Sequence, residues 1–282
     1  MKLFIYIYFC IFLFLPVYIL LYNVGQNSFD YFLERAFEPV AICTYQTSLL
    51  LALIACCLNT IFGFLIAWVL VRVRHVLRKA RTVLRGEKME TFDLPDYNFT
   101  GKKILDIVID LPFALPTSVA GFTLCIIYGS QGWIGFFLSK LGIQIVFTKL
   151  GILLAMIFVS FPFLIRIIQP ILFDIDPAIE EAAWSLGASP WETFLKFIWP
   201  ILNPAVFTGM ALSFARSIGE YGSIVIISSN FPFKDLITPV FIFQCLEQYD
   251  YKGATIIGSC ILFFSLLFLG FINILNNLMK NK

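Results

Sequence analysis

Apolar residues in this chain come in unbroken runs. Charge-free stretches cover residues 3–29, 39–71, 111–139 and 253–279. Each exceeds the roughly 20 residues that an α-helix needs to cross the hydrocarbon of a bilayer. Two more runs qualify once their charges are accommodated: 150–172, which carries Arg166 near one end, and 203–228, which is interrupted by Arg216 and Glu220. The pattern predicts an all-α, polytopic membrane protein with six transmembrane helices.

One polar, acid-containing stretch, residues 174–202, lies between two of these runs and carries its own helix punctuation. Asp176 is placed to cap a helix whose first position is Pro177, where a missing N–H is harmless. Ile179, Ala182, Ala183 and Leu186 fall at i, i+3, i+4 and i+7, which gives one apolar face that is low at the two alanines. Gly187 ends that helix. Ser189, Pro190 and Glu192 then form a capping box for a second helix, and Pro200 is expected to close it. The segment is predicted to be an elbow of two short helices between two membrane spans.

Lysine and arginine bias sets the orientation. The N-terminal run is long for a cleaved signal and no small-x-small site follows it, so it is expected to remain as an anchor. With the N-terminus inside, the inner segments hold thirteen basic residues and the outer loops five, namely Arg35, Lys140, Lys149, Lys234 and Lys252. The elbow and both termini are then expected on the cytosolic or stromal side.

Composition agrees with this reading. Hydrophobic residues make up 60% and charged residues 13%, whereas soluble domains carry about 25% charged. The net charge of +2 is mostly topological and gives no reason to expect nucleic-acid binding. The single histidine, His75, sits among Arg72, Arg74, Arg78 and Lys79 beside a span, where a lipid headgroup is a better partner than a metal. The seven cysteines lie in or beside apolar runs without a C-x-x-C pair and read as small hydrophobes. No phosphate loop G-x-x-x-x-G-K-[ST] occurs, since Thr100-Gly101-Lys102-Lys103 is only a turn with two lysines. Nothing supports a catalytic subunit, a cofactor or a metal centre. If transport is powered, the power must enter through a contact surface.

Charges within spans are costly and need a reason. Asp106 and Asp110, one turn apart, are expected near the basic 72–103 loop, and Arg166 is expected to snorkel. Arg216 and Glu220, at i and i+4 among Ala215, Ser217, Gly219, Gly222 and Ser223, are expected on one helix face. There they either lock helix packing or line a translocation path, where a guanidinium could meet a dianion. Pro112 and Pro116 are expected to bend the third span. Thr117 and Ser118 beside them can either satisfy the freed carbonyls or present hydroxyls to an anion.

Written as Glu181-Ala182-Ala183, three residues, Gly187, nine residues, then Phe197-Ile198-Trp199-Pro200, the elbow resembles the "EAA" loop of ABC importer permeases. The family pattern ends Ile-x-Leu-Pro, so Phe197 and Trp199 depart from it. The resemblance implies a type I importer permease fold with cytoplasmic coupling helices, over residues 39–278. Residues 1–38 would form an added anchor span and outer loop, 72–103 a flexible cytoplasmic loop, and 174–202 the coupling loop. Glu181, Ala182, Ala183, Gly187 and Pro200 would serve ATPase coupling. The stretches Asp110–Thr117, Ala215–Ser223, Asn230-Phe-Pro-Phe-Lys and Leu246–Thr255 narrow the likeness to the T-type permease subunits of sulfate/thiosulfate importers and their molybdate relatives. The implied partners are ABC ATPase subunits, a second homologous permease, and a soluble sulfate-binding protein that would meet residues 229–252. The implied location is a bacterial inner membrane or a plastid envelope. An ATPase-independent anion carrier, using Asp106, Asp110, Arg216 and Glu220 as a relay, is the alternative from another class.

Overall fold

A computed structural model describes residues 7–85 and 101–280, and every regular element among them is helical. A π-turn at Cys10–Phe14 leads into α1 (Leu15–Gly25), and α2 (Phe29–Ala36) is capped by Ser28, whose side chain accepts from the Tyr31 N–H. The second apolar run forms α3 (Pro39–Arg85). The third gives α4 (Lys102–Ala114) and α5 (Thr117–Tyr128), followed by the short α6 (Gly135–Lys140). The fourth run is α7 (Lys149–Asp174), and the elbow begins with α8 (Pro177–Ser185). Next come α9 (Pro190–Thr193), a π-turn at Phe194–Ile198 and α10 (Trp199–Ile218). The chain closes with α11 (Ile224–Ile227), α12 (Thr238–Glu247) and α13 (Tyr251–Lys280).

Four of these helical stretches are each long and apolar enough to cross a membrane: Pro39–Val71, Lys149–Asp174, Pro190–Ile218 and Tyr251–Leu278. The pair Ile104–Ala114 and Thr117–Tyr128 passes that test together but bends by 113°. Leu15–Gly25, from the first expected span, is shorter. The expected six therefore appear, among the described residues, as four long helices, one broken pair and one shorter helix. Helix α3 continues through Arg85, so the first part of the expected 72–103 loop is helical, while residues 86–100 lie outside the described residues. The third run also ends earlier than its charge-free length suggests. At Gly129, Gly132 and Gly135 an added Cβ would collide with backbone carbonyls of residues 125–129, so these glycines let the chain fold back tightly.

The described residues fall into two compact units. One draws on 7–51, 121–155 and 218–268, the other on 52–85, 101–120, 156–217 and 269–280. In the first, Ala41, Tyr45, Cys245, Ala254 and Ile257 form a buried cluster. There Arg35 donates to Glu38 and to Asp250, and Gly253 has no Cβ that would obstruct the Arg35–Asp250 contact. In the second, a larger cluster joins Ala67, Leu70 and Val71 of α3, Ile109 of α4, Leu164, Ile165, Ile168 and Leu172 of α7, then Ile175, Ile198, Leu202 and Val206. Lipid is as apolar as leucine, so helices in a bilayer are held by close packing and polar contacts. Leu164 supplies the first, wedged against Gly63 and Gly209, where an added Cβ would meet its methyl carbons at 2.9 and 2.5 Å. Asn59 supplies the second, its Nδ2 donating to Ser160 Oγ at 2.7 Å while Ser217 Oγ donates to Ser160 Oγ at 2.8 Å.

Candidate functional site

The first arm of the elbow forms as its caps dictate. The Asp176 carboxylate accepts from the Ala178 N–H at 2.9 Å, and Pro177 occupies the first turn. At the other end the Ala188 N–H donates to the Ala183 carbonyl and the Gly187 N–H to the Trp184 carbonyl, both at 3.0 Å, which is a Schellman closure. Gly187 sits at φ +88°, and nothing lies within 4 Å of where its Cβ would be. Backbone conformation, not crowding, is what requires glycine there. Ala183 is buried, but Ile179, Glu181, Ala182 and Trp184 are exposed and Leu186 is 89% exposed. The apolar face expected from the spacing is thus left uncovered by its own chain, except at Ala183.

The second arm differs from expectation. Its capping box is present, with the Ser189 N–H donating to Glu192 Oε2 at 2.9 Å and the Glu192 N–H donating to Ser189 Oγ at 3.3 Å. The bond from the Ser189 N–H first, and then that from the Ser189 hydroxyl, which donates to Glu192 Oε2 at 3.0 Å, hold the Glu192 carboxyl below the ordinary carboxylate range, with Lys196 adding to the effect. Pro200, however, does not end the helix. Residues 190–218 run on as one helical stretch, and the Trp199 N–H donates to the Phe194 carbonyl across a π-turn. Widening the turn just before a residue that has no N–H lets the helix pass through the proline. The elbow is therefore a short helix joined by a glycine turn to the beginning of a long one.

Aromatic rings seat this second arm. Phe194 stands edge-on to Trp68 at 5.4 Å and to Phe64 at 6.2 Å, with Trp191 stacked on it at 5.6 Å. Trp199, one of the two departures from the family pattern, packs edge-on to Phe64 at 6.1 Å, whereas Phe197, the other, is exposed. Edge-to-face pairs of this kind are worth about 0.5–1.5 kcal/mol beyond the area they bury.

The candidate path residues are arranged differently from the prediction. Helix α10 ends at Ile218, with Arg216 in its last turn, where a cation complements the C-terminal carbonyls. Glu220 lies beyond that end and is 1% exposed. Its Oε1 accepts from the Ser223 N–H at 3.0 Å and from Ser223 Oγ at 2.9 Å, a bonding pattern that a continuous helix would not allow. Arg216 and Glu220 therefore do not share one helix face. In the third run the break falls at Leu115-Pro116, where Leu115 is extended, and Thr117 and Ser118 open α5. Pro112 lies inside α4, so Pro116 alone coincides with the break.

Two constellations escaped the sequence reading. The Arg166 guanidinium holds the Asp110 carboxylate through Nε and Nη2 at 2.7 and 2.6 Å, while the side chains of the basic loop expected near Asp106 and Asp110 lie outside the described residues. Asp235, fully buried, accepts from the Ser229 N–H and hydroxyl at 2.7 and 2.6 Å and from the Phe231 N–H at 3.3 Å, organising the 228–237 loop. Intramembrane charge flagged the first. No signal in the sequence flagged the second.

Comparison with known proteins gives this geometry its context. The family profile described as "Binding-protein-dependent transport system inner membrane component" matches residues 96–281. The "Probable sulfate transport system permease protein cysT" of Chlorokybus atmophyticus is 53% identical over 266 residues, 94% of this chain and 85% of that protein. The "Sulfate transport system permease protein CysT" of Synechococcus elongatus is 47% identical over 274 residues, 97% of this chain and 90% of that protein. Among solved structures, a bacterial alginate ABC transporter in complex with an alginate pentasaccharide-bound periplasmic protein superposes with a TM-score of 0.74 at 17% identity, covering 99% of this chain and 93% of its own. With an elbow capped and closed between two spans, and a profile match over most of its length, the chain belongs to the family of binding-protein-dependent transport system inner membrane components.

Proposed function

We propose that this chain is the membrane-spanning subunit of an ATP-driven sulfate importer in a plastid or bacterial membrane. The observation that carries the mechanism is the elbow, a rigid turn whose first arm leaves Ile179, Trp184 and Leu186 exposed while its second arm is anchored in the span that follows. The high identity to relatives named sulfate permeases supports the substrate.

The chain performs no chemistry of its own. Separate ATPase subunits bind the elbow on the cytosolic or stromal side, with Glu181, Ala182 and Gly187 in the contact and Ala183 packed behind them. A second homologous permease completes the pore, and a sulfate-loaded binding protein docks outside near residues 229–252. Closing of the ATPases on ATP drives the elbow and turns the pore from inward-open to outward-open. The driving free energy is the difference in ATP affinity between those two states. Arg216, Thr117 and Ser118 offer donors along the path, and Glu220 steadies its own turn through Ser223.

The test is sulfate uptake into proteoliposomes holding the complete complex. Gly187→Pro forbids φ +88° and removes the N–H that closes the first arm. It is expected to abolish uptake while the chain still inserts. Sustained uptake in that variant would establish a carrier that works without the ATPase. Hydrolysis stimulated by a molybdate-loaded binding protein and not by a sulfate-loaded one would overturn the substrate.

A further inference from the structure

Resting on the reading of the elbow as the coupling element, we infer that Arg166 is a two-seat joint. It is held on Asp110 in this structure and can step one helical turn to Asp106, so that the elbow's position sets that of the broken span. Such a residue is a positioning residue for transport.

The first seat is occupied in full. Besides the fork on Asp110, Arg166 Nη1 donates to Gln169 Oε1 at 2.9 Å and Nη2 to the Asp106 carbonyl at 3.1 Å. The second seat is ready. Asp106 Oδ1 is buried and accepts no hydrogen bond, and it is already in ion-pair range of Nη1 at 3.7 Å, short only of the hydrogen bond. A buried carboxylate oxygen without a donor is unfavourable, and a guanidinium arm just out of hydrogen-bonding range is the group that would relieve it. Asp106 and Asp110 are four residues apart on α4, so they share a face with their Cβ atoms about 6 Å apart. That is about one helical turn, the step by which packed helices exchange one discrete arrangement for another. A planar guanidinium can make the same two-pronged contact at either carboxylate, which an ammonium cannot.

The joint has mechanical connections on both sides. Arg166 stands eight residues before Asp174, about 12 Å along α7 at 1.5 Å per residue. The α7 residues Ile165, Ile168 and Leu172 share one buried cluster with Ile175, which precedes the elbow, and with Ile198 and Leu202, which follow it. The elbow therefore cannot shift without loading α7. On the other side, Ile109 stands between the two seats and packs in the same cluster, and Asp110 lies five residues before the break at Leu115. A one-turn step of Arg166 would move α4 against α7 immediately before Pro116.

The test uses the complete complex in proteoliposomes with Asp110→Asn and Asp106→Asn. The first favours the Asp106 seat and the second holds Arg166 where it is now. Basal ATP hydrolysis is therefore expected to move in opposite directions in the two variants, each by about threefold or more, while sulfate taken up per ATP falls about tenfold in both. Exchanging the partners, Arg166→Asp together with Asp110→Arg, is expected to recover uptake that Arg166→Asp alone removes. Shifts of the same sign that follow the amount of inserted chain, or a wild-type uptake-to-ATP ratio in either variant, would overturn the joint. Gly187→Pro run alongside separates the causes. If it abolishes uptake while both Asn variants keep the wild-type ratio, the joint alone fails. If it leaves uptake intact, the elbow reading and the joint fail together.

Discussion

The two arms of the elbow both open on a complete N-cap, yet their surroundings are opposite. The first, α8, is closed by Asp176 and by the Gly187 turn, yet Ile179, Trp184 and Leu186 are exposed. The second is closed by the Ser189–Glu192 box, and its following residues are held by Phe64, Trp68, Ile198 and Leu202. Caps fix where each arm begins and where the first one ends, and packing decides which arm is free to take a partner. A coupling element needs this asymmetry, because one end must receive a force and the other must be rigidly joined to what moves.

The comparison breaks most directly at Phe194. If the second arm is a fixed anchor, Phe194→Ala removes the ring that meets Trp68, Phe64 and Trp191. A loss of about 2 kcal/mol is expected, below the range of a fully buried Phe→Ala change because Phe194 is only partly buried. The midpoint of thermal unfolding of the purified chain should fall by several degrees, and uptake should fall with it. An unchanged midpoint would show that the second arm is as loosely held as the first.

Ser189→Ala sharpens the same contrast at smaller amplitude, because it removes a cap and leaves the anchor in place. Loss of an N-cap serine costs about 1 kcal/mol. The readout is amide exchange at the Glu192 N–H, which donates to Ser189 Oγ and should lose protection. The pH dependence follows from the sign of the Glu192 shift, which is downward and set first by the Ser189 N–H. A depressed carboxyl contributes stability above its unfolded value and loses it as pH falls through the depressed one. The cap's contribution should therefore be full at neutral pH, decline as pH falls through the ordinary carboxylate range, and be gone below the depressed value. Loosening above that range would contradict the capping geometry.

How much of this was legible follows from the range of each interaction. The long apolar helices, Asp176, Gly187 and the Ser189–Glu192 box depend on neighbours within four residues, and the sequence displays them directly. Pro200 was misread because its accommodation depends on a π-turn, a register change that no side-chain pattern announces. The expected face holding Arg216 and Glu220 failed at Gly219, where the carboxylate of Glu220 prefers the Ser223 N–H to a place in a helix. The Arg166–Asp110 fork joins residues 56 positions apart, and Phe64 meets Phe194 across 130 positions. A single sequence names these groups as costly or aromatic but cannot pair them.

The smallest expected effect on stability is the most diagnostic of the first arm. Leu186 is 89% exposed, so Leu186→Gln should change the stability of the isolated chain by less than about 0.5 kcal/mol. Burying a leucine against a partner contributes about 1.5–3 kcal/mol. The same substitution should therefore weaken binding of the ATPase subunits by about tenfold or more, measured as the ATPase concentration needed for half-maximal hydrolysis with permease in nanodiscs. A variant that binds the ATPase normally would leave this apolar side chain without a partner. One that unfolds more easily would show that the first arm, like the second, is held by its own chain.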